Sequence, residues 1–260
     1  MTKKEIKEEL DYYALKYNTC EFIENDPISI VHQFSRKVDI EIIGLLIATI
    51  SWGNRKSIIN NGLHLLKIMN HQPFEFVMNY KESEFKCLKK FKHRTFNSFD
   101  LHFFILRTQE IYRNQGGLEK VFTDGFKISN KADQAINYFR KCFIPVEFSG
   151  IRTQKHLANP LNGSAAKRIN MYLRWMVRRD NNKVDFGLWK DISTSFLSCP
   201  LDVHSGRTAR SYNLIKRKQN DHKAVAELDK ALLKLDPEDP VKYDFALFGL
   251  GIENKIKSSV

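Results

Sequence analysis

Apolar residues recur at helical spacing through nearly the whole sequence, and no alternating stretch of convincing strand length interrupts them. The spacing predicts helices over 3–17, 27–34, 39–51, 55–70, 99–115, 130–142, 164–179, 206–215, 222–235 and 240–250. Caps support several of them: Asn54 precedes "RKSIINNGLHLLKIM", Ser98 precedes "FDLHFFILRTQEIY", and Ser164 precedes "AAKRINMYLRWMV". Gly116-Gly117 closes one helix, and "NDPIS" and "DPEDPVKYD" are proline-marked starts. The expected fold is all-α, without an internal repeat, a low-complexity tract or a long linker.

At 260 residues the chain is long enough for one large domain or two smaller lobes. Its 42% hydrophobic and 28% charged residues are those of a globular protein and exclude a disordered one. The longest apolar run, Ile42–Trp52, is too short to span a bilayer and follows Asp39 and Glu41, so no membrane association is expected. "MTKKEIKEELDYY" reads as an amphipathic charged helix with no hydrophobic signal core. Cys20, Cys87, Cys142 and Cys199 are scattered, which argues against a disulfide framework, a zinc site or a four-cysteine iron–sulfur cluster. The expectation is a cytoplasmic, nucleoid-associated monomer in a reducing compartment, with no metal and no cofactor.

Charge is uneven. Residues 151–220 carry fourteen Lys/Arg against four acids, a net +10 out of +12 for the whole chain. Arginine dominates there, and its planar fork suits bidentate grip on phosphate. A local field of that sign favours a polyanion, with nucleic acid ahead of an anionic membrane.

Within that segment, "HLANPLNGSAAKRINMYLRWMVRRD" (residues 156–180) has the form of a short helix, a turn through Asn159–Gly163 and a second helix capped by Ser164. Gly163 would supply the left-handed backbone a tight turn needs. Such a turn offers backbone N–H groups and a positive helix end to a phosphate. An ordinary antiparallel helix pair has the same spacing. Arg168, Arg174, Arg178 and Arg179 lie on the second helix.

Downstream, "PLDVHSGRTAR" places Asp202 as the N-cap of a helix beginning near Val203. A capping carboxylate is held rigidly and kept ionised by the helix dipole, which suits stabilising a cation developing on a sugar. "SWGNRK" breaks two helices. Ser51, Trp52 and Asn54 there, with His204, are candidates for a base pocket. In the C-terminal helix, Asp244 stands among the core-facing positions as a possible buried acid.

The hairpin "PLNGSAAKR" followed by the helix start "PLDVH" resembles the helix-hairpin-helix DNA glycosylases, the superfamily of endonuclease III and the 8-oxoguanine glycosylases. The family pattern is a Leu-Pro-Gly-Val-Gly hairpin, a helix, and a Val-Asp-x-His segment with a catalytic Asp. Leu201-Asp202-Val203-His204 is similar to that last element, and Arg207 falls where the family often has an arginine. Bifunctional members place a Schiff-base lysine two residues after the hairpin's last glycine. That position is Ala165 here, and Lys167 lies two residues further on. The sequence also resembles an uncharacterised bacterial domain-of-unknown-function family that carries "SAAKR", "LRWMVR", "PLDVHSGR" and "DPVKYDFALFGLG".

The glycosylase resemblance implies two helical lobes flanking a cleft. Residues 27–180 would form a six-helix barrel-like lobe carrying the hairpin at about 155–179. Residues 1–26 with 181–260 would form a second lobe carrying Asp202. It implies an enzyme that cleaves the N-glycosidic bond of a flipped base in damaged or mismatched duplex DNA. Asp202 would be catalytic, and Lys167 would be a nucleophile if the hairpin is longer than usual. Asn162, Gly163, Ser164, Arg168 and Arg207 would bind the backbone. A non-catalytic nucleic-acid-binding module, for DNA or RNA, and a helical protein-interaction scaffold are the alternatives.

Overall fold

The computed structural model describes residues 1–257, so the end of the 181–260 assignment, residues 258–260, lies outside the described residues. The chain is predominantly helical. The helices are α1 (Lys3–Tyr17), α2 (Cys20–Glu24), α3 (Ile28–Val31), α4 (Lys37–Ile50), α5 (Arg55–Ile68), α6 (Pro73–Asn79) and α7 (Ser98–Asn114). They continue with α8 (Leu118–Ser129), α9 (Ala132–Phe143), α10 (Lys167–Val177), α11 (Val203–Ser211), α12 (His222–Leu233) and α13 (Tyr243–Lys257). A small antiparallel hairpin, β1 (Lys92–His93) with β2 (Phe96–Asn97), precedes α7. No described helix is long and apolar enough to cross a membrane.

Two compact units share the chain. The central unit comprises Ile23–Ser129 and Ala135–Ala158. The terminal unit comprises Met1–Phe22, Asn130–Gln134 and the chain from Asn159 onward. The division therefore falls about twenty residues earlier than the expected boundary at 180, and α10 belongs with the two ends of the chain. The segment before the turn also differs from expectation: Arg152–His156 is a 3-10 helix rather than an α-helix, and it lies in the central unit.

In the central unit α4 is buried on nearly every side, which is why its sequence is apolar all round. Its two acids are buried with partners. Asp39 accepts from Phe74 N–H at 2.8 Å, and Glu41 accepts from the Tyr112 hydroxyl at 2.5 Å. Phenylalanines fill the space between helices, with Phe122 stacked on Phe139 at 4.4 Å and Phe104 against Phe143 at 4.9 Å. Each such ring removes enough apolar area from water to contribute about 1.5–3 kcal/mol.

The terminal unit is built on α1, α11, α12 and α13. Leu10 and Ala14 of α1 meet Tyr243, Ala246, Leu247 and Leu250 of α13, with Leu201, Ala209, Leu228 and Leu232 in the same core. α10 contributes Tyr172, whose ring meets Trp189 edge-on at 5.5 Å, and the buried Trp175. Trp175 and Trp189 are thus core residues.

Candidate functional site

Asp202 is fixed from three directions. Pro200 and Leu201 are buried ahead of it, and its extended backbone turns into α11. Its Oδ1 accepts from the backbone N–H of His204 at 2.8 Å and of Ser205 at 3.0 Å, and its own N–H donates to Ser205 Oγ at 2.9 Å, closing a capping box. Asn220 Nδ2 donates to the Asp202 carbonyl at 2.8 Å, and Arg210 donates to Asn220 Oδ1 at 2.7 Å. The cap leaves Oδ2 for another partner, which is Lys167 Nζ at 2.9 Å. Burial pushes the Asp202 carboxyl up, but the Lys167 ammonium and the two cap N–H groups outweigh it and hold the group below the usual range. Capping and pairing with a cation use different oxygens, so one does not displace the other.

Lys167 reaches this point because its helix starts late. In the turn, Asn159 Oδ1 accepts from Leu161 N–H at 3.0 Å, and Gly163 N–H donates to the Pro160 carbonyl at 2.8 Å. Gly163 sits at φ +90°, where glycine alone is unstrained. Ser164 does not cap the helix as expected. Its Oγ accepts from Ala166 N–H at 3.1 Å, and its backbone bridges to Asp221, with His222 N–H donating to the Gly163 carbonyl at 3.0 Å. Ala166, at φ +47°, is the N-cap residue, and Lys167 is the first residue of α10. The turn is longer by two residues, so Ala165 precedes the helix instead of occupying its first turn. The Lys167 ammonium also lies 5.5 Å from the centroid of the Phe248 ring.

The rest of α10 turns its cations inward. Lys167 and Arg174, seven residues apart, lie within about 20° on one face of α10, and Arg178 is the residue that ends the helix, which stops at Val177 rather than at 179. Arg174 pairs with Asp185 at 3.2 Å and with Asp244. Arg178 pairs with Asp180 at 2.6 Å, Asp185 at 3.2 Å and Asp239 at 3.0 Å. Both guanidiniums also face the Phe245 ring, at 4.3 and 5.4 Å. These two arginines are 4% and 3% exposed and cannot serve as phosphate grips. Burial raises Asp244 to about 6 against the pull of Arg174 and Lys167, so the expected buried acid is present behind the Lys167–Asp202 pair. His204 packs its ring against Phe248 at 6.2 Å, with Nδ1 buried and without a hydrogen-bond partner.

The remaining expected residues are distributed as follows. Asn162 and Gly163 are exposed at the turn. Arg168 is half-buried, and burial lowers its guanidinium to about 10. Arg207 is exposed on α11. Ser51, Trp52 and Asn54 belong to the central unit, whereas His204 belongs to the terminal unit. Ser51 Oγ donates to the Ile47 carbonyl at 2.7 Å, and Asn54 caps α5 by accepting from Ser57 N–H at 3.2 Å. Both side chains are committed to helix ends. Trp52 is half-buried, edge-on to His93 at 4.9 Å. Asn220 and Phe248 are site residues that the sequence did not suggest, because each reaches the site from a distant stretch of chain.

Asp229 of α12 supports the segment leading into Asp202 by accepting from Cys199 N–H at 2.9 Å. Burial pushes its carboxyl up to about 7 against that N–H and a Ser198 hydrogen bond, and Asp133 adds to the rise. A raised carboxyl binds its proton more tightly in the folded chain than in the unfolded one. Its contribution is therefore complete below its ordinary value of 3.8 and lost as pH climbs through about 7. Asp229→Asn is expected to flatten the decline of Tm between those limits and to melt higher than the parent at pH 8. An unchanged pH profile would contradict this environment.

No curated protein and no solved structure matches the chain. The sequence model of a family described as "Protein of unknown function (DUF2400)" matches residues 26–253. That range takes in the central unit from Asp26, the turn, Lys167, Asp202 and all but the last residues of α13, and the chain belongs to the DUF2400 family.

Proposed function

We propose that the terminal unit holds the reaction centre of a DNA base-excision glycosylase, with a helix-hairpin-helix glycosylase-like arrangement of turn, helix and capped aspartate. The observation that carries this reading is the direct 2.9 Å contact between Lys167 Nζ and Asp202 Oδ2, both partly exposed and both at helix starts. A solvent-accessible amine beside an ionised carboxylate is the pairing that covalent attack on a sugar carbon needs. The late start of α10, which lengthens the turn before Lys167, supports this role for the lysine.

The steps follow from those two groups. With the nucleotide extruded, the C1′–N bond to the base breaks and its electron pair leaves with the base. The Asp202 carboxylate stabilises the positive charge developing at the sugar. A proton from the Lys167 ammonium passes to Asp202 Oδ2 and on to the departing base. The freed lone pair forms a C1′–Nζ bond. A second proton moves from that nitrogen to O4′ as the C1′–O4′ bond opens, leaving a protonated imine between Lys167 and the sugar. Asn162, Gly163 and Ser164 at the turn, with Arg168 and Arg207, would hold backbone phosphates of the duplex.

Borohydride trapping on a duplex with one abasic site tests the assignment. The expected result is a covalent protein–DNA adduct that disappears in Lys167→Ala. No adduct, or one that survives the substitution, contradicts Lys167 as the nucleophile.

A further inference from the structure

The arginine-rich segment is not the only positive stretch of the chain. Of the fourteen cations in residues 151–220, Arg152, Lys167, Arg174, Arg178 and Arg217 are engaged with carboxylates. The central unit carries two stretches of the opposite character. From Phe85 to Phe99 there are five Lys/Arg and no acid, and from Ile42 to Phe74 there is no acid at all.

The β1–β2 hairpin brings these stretches together. His93 of β1 donates through Nε2 to the Trp52 carbonyl at 3.1 Å and accepts at Nδ1 from Asn61 Nδ2 at 3.2 Å. The two bonds pin the hairpin to the turn before α5 and to the middle of that helix. Arg94, at the hairpin turn with φ +53°, lays its side chain across Gly53. A Cβ at Gly53 would come within 2.6 Å of the Arg94 guanidinium, so the bare glycine backbone is what allows that approach. Two and three residues beyond Gly53 stand Arg55 and Lys56, in the first turn of α5.

Six cations result: Arg55, Lys56, Lys89, Lys90, Lys92 and Arg94. All are exposed, and none has an ion-pair or side-chain hydrogen-bond partner among the described residues. The residues between them, Leu88, Phe91, His93 and Phe96, point inward and are buried, so the outer face from Lys89 to Thr95 offers charge and no apolar side chain. Phe99, in the first turn of α7, is the large exposed apolar side chain of this stretch, less than the apolar face by which a helix enters a bilayer surface. The acids that flank this stretch along the chain are Glu82 and Glu84, in the preceding 3-10 helix, and Asp100, which is buried against Arg152.

We infer that this face of the central unit, centred on Arg94 over Gly53, is a docking surface for the phosphodiester backbone of a nucleic-acid duplex. Unpaired cations lose little on giving up water to phosphate and release the counterions that phosphates hold. The first-turn N–H groups of α5 add a positive end to the same place. The inference extends the glycosylase reading by a second contact surface. Its test reads binding and not excision, so the two fail separately.

The test is anisotropy titration of a labelled 20-base-pair DNA duplex across a range of NaCl concentrations. The full chain is compared with its Lys89→Gln/Lys92→Gln/Arg94→Gln variant. Losing three phosphate contacts should flatten the slope of log K against log salt by about 2 to 3 and weaken binding by about tenfold or more at low salt. Because all three side chains are exposed, the variant should melt with the parent; Lys89→Gln/Lys90→Gln, which leaves Arg94 and Gly53 untouched, should show a smaller loss in the same direction. An RNA duplex of the same sequence forms a second arm, and binding there with the same sensitivity to the variant also supports backbone recognition. An unchanged slope and affinity in the triple variant overturns the inference. So does tighter binding of the parent to polyglutamate or to phosphatidylglycerol vesicles at equal salt.

Discussion

Replacing Asp202 by Asn should leave the chain folded and bound to DNA while slowing base excision by about 100- to 1000-fold, the usual effect of removing one electrostatic stabiliser of a charged transition state. Asn is as good a helix cap as Asp, so Oδ1 can continue to accept from His204 and Ser205 N–H and the stability cost is small. What changes is the charge at Oδ2, which faces Lys167. Binding to duplex should hold or tighten, since a negative charge near phosphate is removed. Single-turnover excision and anisotropy on the same preparation separate the two effects. Excision at the parental rate would make Asp202 a cap and nothing more.

Arg174→Ala should be the most damaging single change to stability, by about 3–5 kcal/mol, because it leaves buried carboxylates without their cation. Asp185 and Asp244 lose a shared partner, and Phe245 loses the guanidinium 4.3 Å from its ring. The loss should be smaller at pH 5 than at pH 8. Asp244, already raised to about 6, takes up a proton in that interval and no longer needs the charge. Urea unfolding at the two pH values measures both statements. A loss below about 1 kcal/mol at pH 8 would mean that the network is hydrated and contributes as a surface pair does.

Much of the helical plan can be read from the chain because it is local. The window 3–17 coincides with α1, where Thr2 and Glu5 form a capping box, and Asn54 caps α5 as its sequence suggests. α8 is hidden by glycines that look like breaks. Gly116-Gly117 does end α7, but Gly125 lies inside α8, where a Cβ would stand 2.9 Å from Ala135 Cα of α9. A glycine kept for close packing and a glycine kept for a turn have the same letter. Ser164 misleads for a related reason, since its hydroxyl serves a turn and the left-handed Ala166 delays the helix to Lys167.

The same distinction runs through the site. Asp202 as a cap is legible from six consecutive residues. Its partner Lys167 is thirty-five positions away, and Asn220 and Phe248 arrive from later segments. Arg174 and Arg178 are legible as cations but not as buried ones, because the carboxylates that meet them come from Asp185, Asp239 and Asp244. A tally of charge along the chain therefore places the basic face in 151–220. Pairing in the folded chain engages five of those cations, and a second exposed cluster, Arg55, Lys56 and the cations of 89–94, lies in the central unit.

Base release from a panel of duplex oligonucleotides, each with one damaged or mismatched base, tests the central claim most directly. The parent chain is expected to free at least one of these bases and leave an abasic site behind, and Asp202→Asn to do so about 100- to 1000-fold more slowly. No release from any duplex, with salt-dependent binding intact, would contradict it and leave a nucleic-acid-binding module in which Lys167 and Asp202 are only a salt bridge between two helix starts.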